Sequence, residues 1–124
     1  MNTISSSPDF EIKYGFLTKY RGQDADVVIP NSVTDIEQFA FMDCSSLKSI
    51  NIPNSVTKIG EASFWGCSSL KSISIPDSIT EVSEATFSGC SSLKEVSMAE
   101  NTSVSASAFQ MCKSVPKIIR RPST

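Results

Sequence analysis

Histidine does not occur anywhere in this sequence. Its absence removes the side chain that most often serves as a general base near neutral pH, and the commonest metal ligand with it. Catalysis would fall to carboxylates, lysines or thiols. No G-x-S-x-G stretch and no phosphate-cradling glycine loop supports them. The four cysteines contain no C-x-x-C, the close pairing that a zinc site needs. No catalytic residue, metal site or cofactor is therefore expected. Long apolar runs are missing too: nothing approaches the ~18 residues of a membrane-spanning helix. The opening MNTISSSPDF lacks the basic start and apolar follow-on of a secretory signal. As written, it reads as a cytoplasmic chain with a disordered N-terminus over residues 1–9. Charge of one sign is lacking as well. A net charge of −2 leaves no global field to attract nucleic acid or an anionic membrane.

Apolar residues make up 40% and charged residues 19%, enough for one domain to bury a core and too little charge for disorder. Within it, CSSLKSI occurs at 44–50 and again at 67–73, and CSSLKEV follows at 90–96. Self-similarity at this spacing is the mark of a solenoid of the leucine-rich type. Full units run 27–49, 50–72 and 73–95, and a fourth from 96 is one residue shorter. The solenoid is expected over 27–117.

In the middle unit the apolar positions are Ile50, Ile52, Val56, Ile59, Ala62, Phe64, Cys67 and Leu70. The stretch SINIP alternates, so Ile50 and Ile52 face one way and Ser49 and Asn51 the other. That is a short half-buried strand, and Pro53 ends it because proline has no N–H to give. Pro30 and Pro76 repeat the punctuation. The return stretch NSVTKIGEASFWGC reads as a turn, a short extended piece and one helical turn ending near Gly66. A single unit buries too little to fold alone, so stability must come from stacking.

The four cysteines fall at equivalent points, Cys44, Cys67, Cys90 and Cys112. Parallel coils aim their Cβ vectors the same way, which disfavours disulfides even at a bridging Cα separation. All four are expected as buried, reduced thiols that resist labelling in the native protein. Residues 10–26 do not fit the repeat. FEIKY and FLTKY, split by Gly15, read as a capping hairpin whose Phe10, Ile12, Phe16 and Leu17 cover the first coil. At the other end the pattern decays, with Arg120 at an interior position. Residues 118–124 read as an edge strand and tail guarded by charge and Pro122.

These residues resemble the BspA-like leucine-rich repeats. The pattern A-F-x-x-C-x-x-L-x-x-I-x-I-P is met by Ala40, Phe41, Cys44, Leu47, Ile50, Ile52 and Pro53, with Ser63 and Thr86 replacing the alanine in the next two units. The resemblance spans roughly residues 10–120. It implies short parallel strands on a concave face and turns with short helical pieces on a convex one. It also implies a surface or secreted setting and protein partners, such as matrix or plasma proteins bound by adhesin-like members.

Facing outward on the expected concave sheet are Ser49, Asn51, Ser72, Ser74, Glu95 and Ser97, flanked by Asp26, Val28, Lys117 and Ile119. This row reads either as a solvated sheet face or as a binding surface, and it lacks the large anchors that usually carry interface energy. Lys48, Lys71 and Lys94 form a second column, which either holds an acidic partner or keeps the surface soluble. Trp65 stands where other units have Met42, Ser88 and Gln110, so it is either an exposed hot spot or packed on a neighbouring loop. Asn101-Thr102-Ser103 is a glycosylation sequon and RRPS at 120–123 matches a basophilic kinase site; both are weak signals. A binding module, expected as a monomer, competes with a structural segment that stacks on other repeats through its C-terminal edge.

Overall fold

The computed structural model describes residues 9–122; most of the expected disordered N-terminus, and Ser123 of the kinase-like motif, lie outside them. The chain begins with strands β1 (Phe10–Lys13) and β2 (Phe16–Tyr20), paired antiparallel. Both loop residues, Tyr14 and Gly15, have positive φ, as a two-residue hairpin turn requires. The register slips between Glu11 and Ile12, leaving Thr18 as the extra residue of a bulge, and its hydroxyl donates to the Glu11 carbonyl. That slip corrects the expected cap. Leu17 and Tyr20 both turn inward although three residues apart, and Phe16 is exposed instead of covering the core. Phe10 and Ile12 pack against the core as half-buried residues.

From there the chain coils. One face carries β3 (Asp26–Val28), β5 (Ser49–Asn51), β7 (Ser72–Ser74), β9 (Glu95–Ala99) and β11 (Lys117–Arg121). A second face carries β4 (Asp35–Ile36), β6 (Lys58–Ile59), β8 (Glu81–Val82) and β10 (Ser103–Val104). Every pairing after the hairpin is parallel, and equivalent residues meet in register: Ile50 beside Val27, Val96 beside Ile73, Ile59 beside Ile36. The prolines act as expected and add a turn. The carbonyls of Pro30, Pro53 and Pro76 accept from the N–H groups of Val33, Val56 and Ile79, so each strand bends sharply into the next side of the coil.

The convex arc contains no helix among the described residues, a difference from the expected helical turn near Gly66. Two left-handed residues per coil interrupt it: Phe39, Ala62 and Ala85 at one level, Asp43, Gly66 and Gly89 at the other. Alternate N–H groups therefore leave the coil. Those of Ala62, Phe64 and Gly66 donate to the Glu84, Thr86 and Ser88 carbonyls one coil ahead, and those of Ser63, Trp65 and Cys67 close turns within the coil. Gly66 and Gly89 have φ of 78° and 75°, the left-handed region that glycine enters without a Cβ penalty, and Asp43 adopts it at the equivalent place of the first coil.

Rings stack along the arc. Phe10, Tyr20, Phe41, Phe64, Phe87 and Phe109 follow one another with centroids 5.0–5.8 Å apart, and the four from Tyr20 to Phe87 are fully or almost fully buried. One junction differs. Between the second and third full units neither strand ladder is continuous: β5 and β7 fall in separate sheets, as do β6 and β8. Two serine hydroxyls bridge the gap, Ser78 to the Val56 carbonyl at 2.6 Å and Ser83 to the Ile59 carbonyl at 3.1 Å.

Candidate functional site

The outward rows fall where alternation put them. Asp26, Ser49, Ser72, Glu95 and Lys117 run along one line, and Val28, Asn51, Ser74, Ser97 and Ile119 along the next. Ser49, Asn51, Ser72, Ser74 and Glu95 are exposed, and Ser97 is half-buried. Their hydroxyls also work between coils. Ser49 donates to Asp26 Oδ1 at 2.6 Å and Ser97 to Ser74 Oγ at 3.1 Å.

Sequence reasoning missed the largest group on this face. Arg121 occupies the register position of Ala99, where full units carry proline, and its side chain reaches back across two coils. Nε and Nη2 both meet Asp77 Oδ1, at 3.0 and 2.8 Å, Nη1 meets Ser97 Oγ at 2.9 Å, and Nη2 also meets the Ile75 carbonyl. This is why Ser97 is covered. No local pattern could show it, because Arg121 and Asp77 are 44 residues apart in sequence. Beside this arginine, at the interrupted junction, lies a groove of about 350 Å³ walled by Asn51, Pro53, Ser74, Pro76, Asp77 and Arg121. The face thus carries an arginine whose guanidinium is fully bonded to Asp77, Ser74, Ser97 and the Ile75 carbonyl, beside a row of serines.

The flanking candidates separate from it. Lys48, Lys71 and Lys94 are exposed in one column. The Lys94 N–H donates to the Lys71 carbonyl, so the backbones of that pair are a single hydrogen bond apart. Trp65 is half-buried on the convex arc, away from the strand face, and its carbonyl accepts from the Asp43 N–H. Among the described residues no cluster of histidine, cysteine or carboxylate could hold a metal.

The cysteines are all reduced, and the expectation of four buried thiols needs correction. Cys67 and Cys90 are fully buried, while Cys44 and Cys112, on the outermost coils, are half-buried because only one neighbouring coil covers them. Three are also more than space-fillers. The thiols of Cys67, Cys90 and Cys112 donate to the carbonyls of Phe41, Phe64 and Phe87, each at 3.1 Å. Burial pushes the Cys90 thiol up to about 12. The interaction with Cys44, together with burial, raises Cys67; the same interaction lowers Cys44, with Lys19 acting in that direction.

The BspA type leucine rich repeat region matches residues 19–123, in six copies, and the chain belongs to that family. Solved structures agree. A leucine rich cell surface protein from Faecalibacterium prausnitzii is 30% identical with a TM-score of 0.64, over 87% of this chain and 35% of that one. A leucine-rich repeat protein from Bacteroides ovatus is 30% identical with a TM-score of 0.61, over 85% and 32%. The leucine rich repeat protein of T. pallidum shares the fold at 21% identity and a TM-score of 0.58, over 87% of this chain and 75% of that one. This chain thus spans about a third of the Faecalibacterium and Bacteroides proteins. No curated protein sequence matches it.

Proposed function

We propose that this chain is a non-catalytic protein-binding module, adhesin-like in character, whose partner lies along the concave strand face. The observation that carries the reading is the Arg121 side chain laid over Ser74 and Ser97 beside an open groove. A guanidinium fixed in place by Asp77 keeps a defined orientation, so less entropy is lost when a partner docks. The rows around it are exposed, polar and rigidly spaced by the ladder, which suits an extended polar contact strengthened by repetition. The likeness to the leucine rich cell surface protein of Faecalibacterium supports a cell-surface setting, and matrix or plasma proteins are the partners to try first.

The test immobilises the folded chain and offers matrix and plasma proteins beside a cell lysate. Saturable binding of a matrix or plasma protein is expected. It should be lost in a Ser72→Arg/Ser74→Arg variant whose melting temperature matches the parent. Binding that survives this double substitution would move the site off the strand face. Failure of every candidate to bind would remove the adhesin reading.

A further inference from the structure

We infer that the junction between the coil of β5 and β6 and the coil of β7 and β8 is a hinge, on which the two halves of the solenoid open and close about the convex arc. The inference does not rest on the concave-face reading, because it needs no partner. Three observations converge on it.

The first is a set of backbone bonds made on either side of this junction and missing at it. At the strand starts Lys48 donates to the Ala25 carbonyl and Lys94 to the Lys71 carbonyl; at the strand ends Ile29 donates to Asn51 and Ile75 to Ser97. On the second face Thr57 donates to Thr34 and Ser103 to Thr80, and Gly60 donates to Ile36 and Ser105 to Val82. The equivalent N–H groups at this junction are those of Lys71, Ile52, Thr80 and Ser83, and none has a partner among the described residues. The hydroxyls of Ser78 and Ser83 hold the coils instead, so Ser83 reaches its neighbour through its side chain where Gly60 and Ser105 do so through the backbone. Opening an intact junction breaks backbone bonds on both faces. Opening this one breaks two hydroxyl bonds there and gives four unpaired amides to water, which favours the open form relative to the other junctions.

The second observation supplies the axis. Along the convex arc the same two coils are joined as tightly as their neighbours. Ala62, Phe64 and Gly66 donate to the Glu84, Thr86 and Ser88 carbonyls, and the Cys90 thiol donates to the Phe64 carbonyl. The Phe64 and Phe87 rings stack at 5.6 Å with their planes 14° apart. Bonds kept along one side and missing on the other two let the halves rotate about the arc without sliding past each other.

The third is that each half is tied within itself. Ser49 donates to Asp26, and Thr57 Oγ1 to the Thr34 carbonyl, between the coils of the first half. Ser97 donates to Ser74, and Arg121 reaches Ser97, Asp77 and the Ile75 carbonyl, across the second half. Among the described residues neither ion pair crosses the junction: Arg21 meets Glu11, and Arg121 meets Asp77. A groove of about 350 Å³ already stands at the junction on each strand face, one walled by Asn51 and Ser74, the other by Thr57, Lys58, Thr80 and Glu81. Opening widens both grooves and parts the outward rows only between Ser49 and Ser72, so this one junction sets the curvature of the strand face.

The experiment records amide relaxation dispersion and hydrogen exchange on the isotopically labelled full chain, without any partner. Microsecond-to-millisecond exchange is expected at the strand-face amides that flank the junction, residues 49–52, 58–60, 71–74 and 80–83, with one common rate. The arc amides of Ala62, Phe64 and Gly66 should show none. The amides of Lys71, Ile52, Thr80 and Ser83 should exchange with solvent at least about tenfold faster than those of Lys94, Ile75, Ser103 and Gly60. A short thiol crosslinker tests the axis, in a Cys44→Ala/Cys112→Ala background. Bridging Ser49→Cys to Ser72→Cys, both exposed positions, should abolish the common process, and bridging Ser72→Cys to Glu95→Cys should leave it intact. Dispersion that is absent at the junction, spread equally over all coils or unchanged by the first bridge would overturn the inference. Dispersion at the three arc amides as large as on the strand faces would show the coils parting outright, and would overturn it equally. Failure of the concave face to bind a partner leaves every one of these outcomes unaffected, so the two are told apart.

Discussion

At the N-terminal end the ring stack runs on from Phe41 into Tyr20 and Phe10, and the Tyr20 N–H donates to the Ala40 carbonyl. At the C-terminal end Phe109 has Phe87 on one side and, among the described residues, no ring on the other. One end is closed by a hairpin that imitates a coil; the other finishes in arginine contacts and cations. The contrast shows that a hairpin can stand in for a coil: along the convex arc each coil accepts from the one before it, and Tyr20 supplies that donor to Ala40, whereas at the strand starts the bonds run the other way, from Lys48, Lys94 and Lys117 to the coil behind.

The comparison between covered and uncovered levels is most sharply tested by thiol labelling. Cys44 and Cys112 on the outer coils should react in the native protein. Cys67 and Cys90 should be slower by orders of magnitude, because they need the coils to open. Mass spectrometry of partly labelled protein reads the order directly, and comparable rates at all four would show that the inner coils open as readily as the outer ones. Energetically, Tyr20→Ala should cost about 3 kcal/mol and Phe109→Ala about half that, since one ring is 4% exposed and the other half-buried. Urea unfolding of both variants decides; a larger loss at Phe109 would reverse the assignment of closed and open ends.

A smaller effect concerns pH. The Cys90 thiol is protonated in the fold up to about 12, but in the unfolded chain it releases its proton near about 8.5. Stability from this group is complete below that lower value and declines as pH rises through the interval. The urea midpoint should therefore fall between pH 8 and pH 11, and fall less steeply in Cys90→Ala. The smallest effect is a gain. Ser63 stands where the first unit has Ala40, is fully buried, and its hydroxyl has no partner among the described residues. Ser63→Ala should stabilise by about 1 kcal/mol. A loss would show that the hydroxyl is satisfied in solution.

Much of the architecture was legible in the residues because each element is made by short-range rules applied several times over. The period of 23, the alternation around Ile50 and Ile52, and the proline stops placed the strands of the main face and the rows Ser49, Ser72, Glu95 and Asn51, Ser74, Ser97 upon it. The hairpin was legible from Gly15 between two alternating runs, but its inward residues were not. A bulge at Thr18 changes the parity, and a bulge is set by how the hairpin fits the coil beneath it. The helical turn expected on the convex side failed for a related reason. Ala62 adopts positive φ where its own N–H donates to the Glu84 carbonyl of the next coil, and Ala85 does so two residues before the Phe87 N–H that donates to Ala108; such bonds override helix propensity.

The sequence by itself determined that the chain is a stack of like coils, which residues of the full units point inward, and that histidine chemistry is excluded, because these follow from periodicity and composition. The tertiary structure alone decided how the hairpin covers the first coil, which cysteines are shielded, and that Arg121 lies across Ser74 and Ser97 to reach Asp77. Each of those depends on groups brought together from distant parts of the chain or from different coils, and a local pattern carries no information about which distant groups will meet.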